Sequence, residues 1–439
     1  MTFTPNRRHF LGALGTAFAA PALLAQETPA TEPTLIDSPP SLQCPTRNAI
    51  TVVWAVGQPA AGFVQFGTDK DNLDQAAYGD VFGQKAYHRR FLQIRIEGLQ
   101  PNTRYYYRTV TRAFRFVNAY NFVQGEPVYG EVYSFQTPGE NKAIGTFSVI
   151  NDTHNNQPLI KAVGDRLRSL QSDYTVWNGD LFNGVDSEQT AIDATLRHGG
   201  VGFSMEKPLL FVPGNHDYRG EWARNLPLCL ATWDYNPPEP IQLAQWSRPL
   251  VDPTGQPELS QGRNFVVRNG PLALIGLDTG EDKPDNRSEW AGLARFEPYR
   301  VRQHAWLERV LQSETVASAP FVLAFCHIPL FDSRPNANGG DLPTGYASFQ
   351  RQAGDLWGPL LTQYGVQAVI AAHTHRVRYD QPTEDRTWAQ IIGGTSSLDR
   401  GDVTVIHGKA EGGKLEIVVE VVNRNNKEWG HWTFAPRRG

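Results

Sequence analysis

Near the middle of the chain the sequence reads Leu209-Leu210-Phe211-Val212-Pro213-Gly214-Asn215-His216-Asp217. Four apolar residues make a buried strand, and Pro213-Gly214 stop it. Three polar side chains follow, each able to bind a metal or to exchange a proton. A folding chain gains nothing from placing them at the mouth of a core strand unless they face a crevice. In open α/β sheets that crevice lies at the carboxyl ends of the strands. The fold therefore turns on whether other strands end in the same way.

Four others do. An apolar run ending at Ile150 leads into Asn151-Asp152-Thr153-His154, and one ending at Trp177 into Asn178-Gly179-Asp180. A third, ending at Phe325, leads into Cys326-His327, and a fourth, ending at Ala371, into Ala372-His373-Thr374-His375. Taken singly, a Gly-Asp is an ordinary turn, a His-x-His an ordinary surface pair, and Asp152 and His154 are helix caps. Accidental turns would use Ser, Lys and Gly as readily, so five such endings together point to one shared site. Asp152, His154, Asp180, Asn215, His327, His373 and His375 offer imidazole nitrogen and oxygen without sulfur. That donor set suits Zn, Fe, Mn or Ni better than a structural thiolate zinc site. Seven donors are too many for one ion with open positions. Two ions about 3.5–4 Å apart, bridged by one carboxylate, use them all.

From about residue 144 strands alternate with helical segments at 158–170, 302–312 and 349–364, the rhythm of α/β layers. Stretches 218–263 and 280–299 are rich in Pro, Gly, Asn and Trp and read as ordered loops at a substrate rim. Tyr218, Arg219, Trp222, Arg334 and Asn336 are placed there to reach a substrate. Residues 34–138 are all-β, with strand patterns at 50–56, 62–67 and 91–96, and carry no catalytic constellation; they read as a β-sandwich.

The chain has 439 residues, with 41 Lys+Arg against 45 Asp+Glu, a net charge of −4. With neither a basic excess nor a basic stripe, no nucleic-acid binding is expected. Asn6-Arg7-Arg8-His9-Phe10-Leu11, followed by an apolar run to Leu24, resembles a twin-arginine export signal. Residues 1–25 are read as that signal and 26–33 as a linker. The mature protein is thus expected to be exported, periplasmic or secreted, without a stable membrane anchor, and its precursor to meet the twin-arginine export machinery. Three cysteines make no disulfide framework, and whether Cys44 and Cys229 pair stays open.

The ordered blocks Asp152-x-His154, Gly179-Asp180, Gly214-Asn215-His216-Asp217, His327 and His373-x-His375 resemble the calcineurin-like metallophosphoesterase superfamily over roughly 144–423. Leu99-x-Pro101-x-Thr103-x-Tyr105-x-Tyr107, with Trp54 and Tyr133-Ser134-Phe135-Gln136-Thr137, resembles a fibronectin type III domain. Its place ahead of the phosphoesterase blocks is similar to the layout of purple acid phosphatases. The fold this implies is a small all-β sandwich (34–138) followed by a four-layer α/β (αββα) domain (144–439). The activity implied is phosphoester hydrolysis by a hydroxide shared between two divalent or trivalent ions, Fe, Zn or Mn. The first reading is an exported phosphatase. A phosphodiesterase of the same superfamily and a non-catalytic surface-binding protein are the alternatives.

The resemblance gives Asp152, His154, Asp180 and His375 to one ion, and Asp180, Asn215, His327 and His373 to the other, with Asp180 bridging. Three residues are grouped as catalytic. Asn215 also donates to phosphate, and His216 is not a ligand but serves the leaving group. Asp217 orients His216 or the loop, or simply caps the turn. Two departures matter. Asn183 stands where purple acid phosphatases carry their colour-giving tyrosine, and those enzymes lack the Asp-x-His block, so no iron–tyrosinate colour is expected.

Overall fold

Leu272–Leu277, Phe321–Cys326 and Ala368–Ala371 bury every residue along their length. Such runs form where a strand is covered on both faces. In the computed structural model they lie in a six-stranded sheet. Its order is Phe265–Asn269, Leu272–Leu277, Phe321–Cys326, Ala368–Ala371, Ala389–Ile392, Arg378–Asp380. The structure describes residues 34–233 (except 82, 86 and 201), 259–331 and 347–437. The expected signal and linker, Arg334 and Asn336 lie outside the described residues.

A nine-stranded sheet faces the first. Its order is Lys427–Phe434, Lys414–Val421, Thr404–Glu411, Gly145–Ile150, Tyr174–Asn178, Leu209–Val212, Ser41–Thr46, Ala49–Ala55, Phe91–Ile96. Phe147, Val149, Tyr174, Val176, Leu210 and Val212 of this sheet meet Leu274, Leu323, Phe325, Ile370 and Ile391 of the other in one core. Outside it, the helix Gln157–Ser169 buries Leu159, Ile160, Val163 and Leu167. The helix Phe296–Gln312 and the described side chains of Ala347–Gln363 cover the six-stranded sheet. The layers run α, β, β, α. Each large apolar side chain fully buried this way stabilises the fold by about 1.5–3 kcal/mol.

The five chemistry-bearing strands run parallel to one another within each sheet, although Gly145–Ile150 also pairs antiparallel with Thr404–Glu411 on its other side. Gly145–Ile150, Tyr174–Asn178 and Leu209–Val212 are consecutive in one sheet, and Phe321–Cys326 and Ala368–Ala371 in the other. Their carboxyl ends therefore open on one edge of the two-sheet stack.

The β-rich region is joined to this stack through a shared sheet. Ser41–Thr46 pairs in parallel with Leu209–Val212, through Gln43 opposite Leu209. Gln43 adds side-chain bonds to Cys229 O (2.9 Å) and from Ala231 N (2.7 Å). In Ala49–Ala55, alternate residues face two cores. Ile50, Val52 and Trp54 pack with Tyr107 and Phe135 of the sandwich, while Val53 and Ala55 pack with the Gln157–Ser169 layer. The helix expected at 302–312 starts at Phe296, because the Asp285 carboxylate accepts from Phe296 N (2.8 Å) and Glu297 N (3.1 Å). Cys44, Cys229 and Cys326 are buried, and no two of them form a disulfide.

His198 is a buried residue of this layer system. Its ring stacks on Phe203 at 4.2 Å between centroids and lies 5.9 Å from Trp177. Burial pushes its pKa down to about 3. The unfolded chain takes up this proton near pH 6.5 and the folded chain does not, so the stability is complete above 6.5. It is lost as pH falls towards 3, at up to about 1.4 kcal/mol per pH unit. His198→Asn removes the titration and tolerates the positive φ of 48°. Urea unfolding between pH 6.5 and 3 is expected to show a shallower acid slope for this variant than for wild type. Equal slopes contradict the assignment.

Candidate metal centre

Five of the proposed ligands sit in left-handed backbone: Asp152 (φ 48°), His154 (45°), Asp180 (50°), His373 (69°) and His375 (54°). For a side-chain-bearing residue this conformation costs roughly 1–2 kcal/mol. Such strain persists only where surroundings enforce it, and it clusters at functional sites. Here the loops are lashed together. Asp152 N donates to Gly179 O and His154 N to Asp180 O, both at 3.0 Å. Gly179 and Gly214 are required by close approach. A Cβ on Gly179 would lie 2.2 Å from His327 Nδ1, and one on Gly214 would lie 2.3 Å from Asp180 Oδ1.

The seven proposed ligands converge. His375 Nε2 is 3.2 Å from Asp152 Oδ1 and 3.2 Å from His154 Nε2. His154 Nε2 is 3.5 Å from Asp180 Oδ2, and His327 Nε2 is 3.2 Å from the same oxygen. His373 Nδ1 is 3.0 Å from Asn215 Oδ1. Asp152, His154 and His375 make one tight group of donor atoms, and Asp180, His327 and His373 another.

Two atoms test whether metals fit. His327 Nδ1–H donates to Asn178 O at 2.9 Å, which turns Nε2 into the cluster, buried, 3.2 Å from Asp180 Oδ2 and without a well-formed hydrogen bond. Asp152 Oδ1 is likewise buried without a well-formed hydrogen bond, with His375 Nε2 at 3.2 Å. Buried polar atoms are ordinarily satisfied. Histidine ligands ordinarily hold their second ring nitrogen against a carbonyl or carboxylate, as His327 does. His154 repeats the pattern, with Nδ1 3.0 Å from Asn183 Oδ1. The donor set fits a metal pair.

Without cations, protons must balance the carboxylates. Burial disfavours a charged His327, yet the Asp180 charge outweighs it and pushes the imidazole up to about 10. Burial, reinforced by charged His327, pushes His373 down to about 4. Burial opposes ionisation of Asp152, but contacts from His154 and His375 hold its carboxyl well below the usual range.

His216 lies beside the cluster, its ring 4.9 Å from that of His154. Its backbone N–H donates to Asp180 Oδ1 (2.9 Å), its Nδ1 is 2.7 Å from Asn183 O, and its Nε2 is 3.1 Å from Arg219 Nη1. Asp217 turns away from His216. Its buried carboxylate accepts from Gly214 N (2.8 Å), Asp180 N (3.0 Å) and Phe182 N (3.3 Å). These bonds link the Gly214 turn to the loop that carries Asp180.

Some functional neighbours are not singled out by sequence. Asn178 Nδ2 donates to Cys326 O and Ile370 O, both at 3.1 Å, and so ties the two sheets together at the site. Asn151 Nδ2 donates to Asp152 Oδ2 (2.7 Å). An asparagine ending each of the two strands is the only signal in the sequence. Glu281 and Asp282 clamp Arg219: Nε lies 2.5 Å from Glu281 Oε1 and Nη2 2.8 Å from Asp282 Oδ1. Trp222, expected at the substrate rim, instead packs on Phe91 at 5.7 Å, because the shared sheet offers it an apolar surface.

Residues 145–377, more than half of the chain, match the family described as Calcineurin-like phosphoesterase. The chain belongs to this family. As a calcineurin-like phosphoesterase it is a metal-dependent phosphoric ester hydrolase. Residues 40–137 match the Purple acid Phosphatase, N-terminal domain. Among solved structures, purple acid phosphatase PPD1 isolated from yellow lupin (Lupinus luteus) seeds is similar, with a TM-score of 0.59 at 14% identity. That match covers 90% of this chain and 74% of the other. The structure of PhoD is similar with a TM-score of 0.54 at 12% identity, over 93% of this chain and 90% of that one. At these identities the likeness is one of fold. No curated protein matches the chain.

Proposed function

We propose that this phosphoesterase is an exported phosphatase acting through a dinuclear centre. Asp152, His154, Asp180 and His375 hold one ion of the Fe, Zn or Mn type, and Asp180, Asn215, His327 and His373 the other. The observation that carries the reading is the crowding of buried donor atoms that lack well-formed hydrogen bonds, His327 Nε2 at 3.2 Å from Asp180 Oδ2 and Asp152 Oδ1 at 3.2 Å from His375 Nε2, at the middle of a converging ligand cluster. When bound, a metal pair of this kind polarises phosphoryl oxygens and makes water a competent nucleophile near neutral pH.

The chain's own residues do the rest. Asn215 presents Oδ1 to the cluster and frees its amide N–H groups to donate to phosphate. Asp217 fixes the Gly214 turn against the Asp180 loop, so that His216 stands at a constant distance from the cluster. His216 keeps Nδ1 on Asn183 O and holds Nε2 beside Arg219, where in its protonated form it can pass a proton to a departing alkoxide. Burial lowers its pKa below 6.5, so this acid is most available on the acid side of neutrality. Arg219, held by Glu281 and Asp282, brings a fixed positive charge beside that nitrogen.

Metal-reconstituted protein should turn over 4-nitrophenyl phosphate with kcat/KM at least about tenfold above bis(4-nitrophenyl) phosphate, since His216 and Arg219 offer a dianion one proton donor and one fixed cation. The reverse order would make the enzyme a phosphodiesterase. Export rests on Arg7-Arg8 and the apolar run behind them. Arg7→Lys with Arg8→Lys is expected to retain the precursor in the cytoplasm, and normal export of that variant contradicts a twin-arginine route.

A further inference from the structure

A cleft of about 950 Å³ opens beside Arg219, far larger than a phosphate group requires and within the usual range for organic ligands. Six cations line it: Arg219, Arg224, Arg263, Lys283, Arg295 and Arg302. One lining carboxylate, Glu289, opposes them, and it is paired with Arg287 at 3.3 Å. Arg219 and Lys283 are balanced by Glu281 and Asp282. Arg224, Arg295 and Arg302 make no salt bridge among the described residues. Arg263 has a buried Nη1 with no hydrogen-bond partner among them, although the buried Asp278 carboxylate faces its charge. A concave surface carrying charge of one sign concentrates anions. The cleft also has an apolar wall, with Trp290, Phe296 and Tyr299 among its lining residues. Flat rings beside guanidinium groups suit an aromatic or otherwise planar anion.

The cleft begins where a leaving group would depart, because Arg219 Nη1 lies 3.1 Å from His216 Nε2. We propose that it receives the alcohol half of the substrate and selects phosphoesters whose alcohol half carries a second anionic group on a flat body. This rests on the phosphoester-hydrolase reading of the metal centre. It adds what the ligand cluster does not specify, the chemistry of the group released.

The test compares phenyl phosphate with 4-sulfophenyl phosphate on metal-reconstituted protein. Wild type is expected to favour the sulfonate by about tenfold in kcat/KM, the worth of one charge-assisted contact. Arg295→Ala/Arg302→Ala changes two exposed side chains and is expected to bring that ratio close to one. A wild-type ratio at or below one, or a variant that keeps the preference, overturns the proposal. Calorimetric binding of the released half, 4-hydroxybenzenesulfonate, reads the cleft without turnover. Affinity about tenfold weaker in the double variant supports the subsite even if neither ester is hydrolysed, an outcome that would instead reject the hydrolase reading. Equal affinities overturn the subsite even if both esters are hydrolysed.

Discussion

Asp180→Ala is expected to lower turnover by at least roughly 10³-fold and to bring metal content below one ion per chain, because this carboxylate serves both halves of the centre. Its Oδ2 is 3.5 Å from His154 Nε2 and 3.2 Å from His327 Nε2, one residue from each ligand group. Its Oδ1 accepts the backbone N–H of His216 at 2.9 Å, so the proposed acid is anchored to the proposed bridge. Removing the carboxylate therefore takes a shared ligand and an anchor at once. It also leaves a buried His327 without the charge that balances it, and breaking a buried pair in this way is strongly unfavourable. Elemental analysis and kcat on the same preparation make the check. A variant that is fully loaded and fully active excludes Asp180 as a bridge.

His216→Ala should separate chemistry from metal binding. Both ions are expected to stay, because every proposed ligand keeps its position. Turnover of an alkyl phosphate, a poor leaving group, should fall by about 10²–10⁴-fold, the usual worth of general acid help. Turnover of 4-nitrophenyl phosphate, whose leaving group departs without a proton, should fall much less. The pH profile gives a second reading. Burial holds the His216 pKa below 6.5, so its charged form is present at acid pH and disappears as pH rises through that lowered pKa. Wild-type kcat on the alkyl ester is expected to decline over that interval, and the variant to lose the decline. Loss of metal in His216→Ala would instead make this residue a ligand, and an unchanged pH profile would remove it from proton transfer.

The strand ends were legible because each breaks a fully apolar run with residues that cost energy to bury unless they bind something. Leu209 to Val212 followed by Asn215 and His216, and Phe321 to Phe325 followed by His327, carry that contrast on their face. The layer order was legible for a related reason, since parallel strands need helical crossovers. What was hidden depends on contacts between distant segments. The Arg219 clamp joins the loop after Leu209–Val212 to Glu281 and Asp282, about sixty residues away, and salt-bridge partners leave no periodic trace. The sheet shared between sandwich and phosphoesterase layers hangs on a single register pair, Gln43 with Leu209. Trp222 followed from composition alone, and an aromatic residue in a loop serves a core as readily as a substrate. Asn183 was legible only as a missing tyrosine. In the fold its Oδ1 meets His154 Nδ1, the very histidine that the Asp-x-His block adds.

Elemental analysis of reconstituted, desalted wild-type protein, titrated in parallel for hydrolysis of 4-nitrophenyl phosphate, tests the dinuclear centre most directly. The expected result is two ions per chain, with turnover appearing as the second ion binds. Full turnover at one ion per chain, or at none, contradicts it.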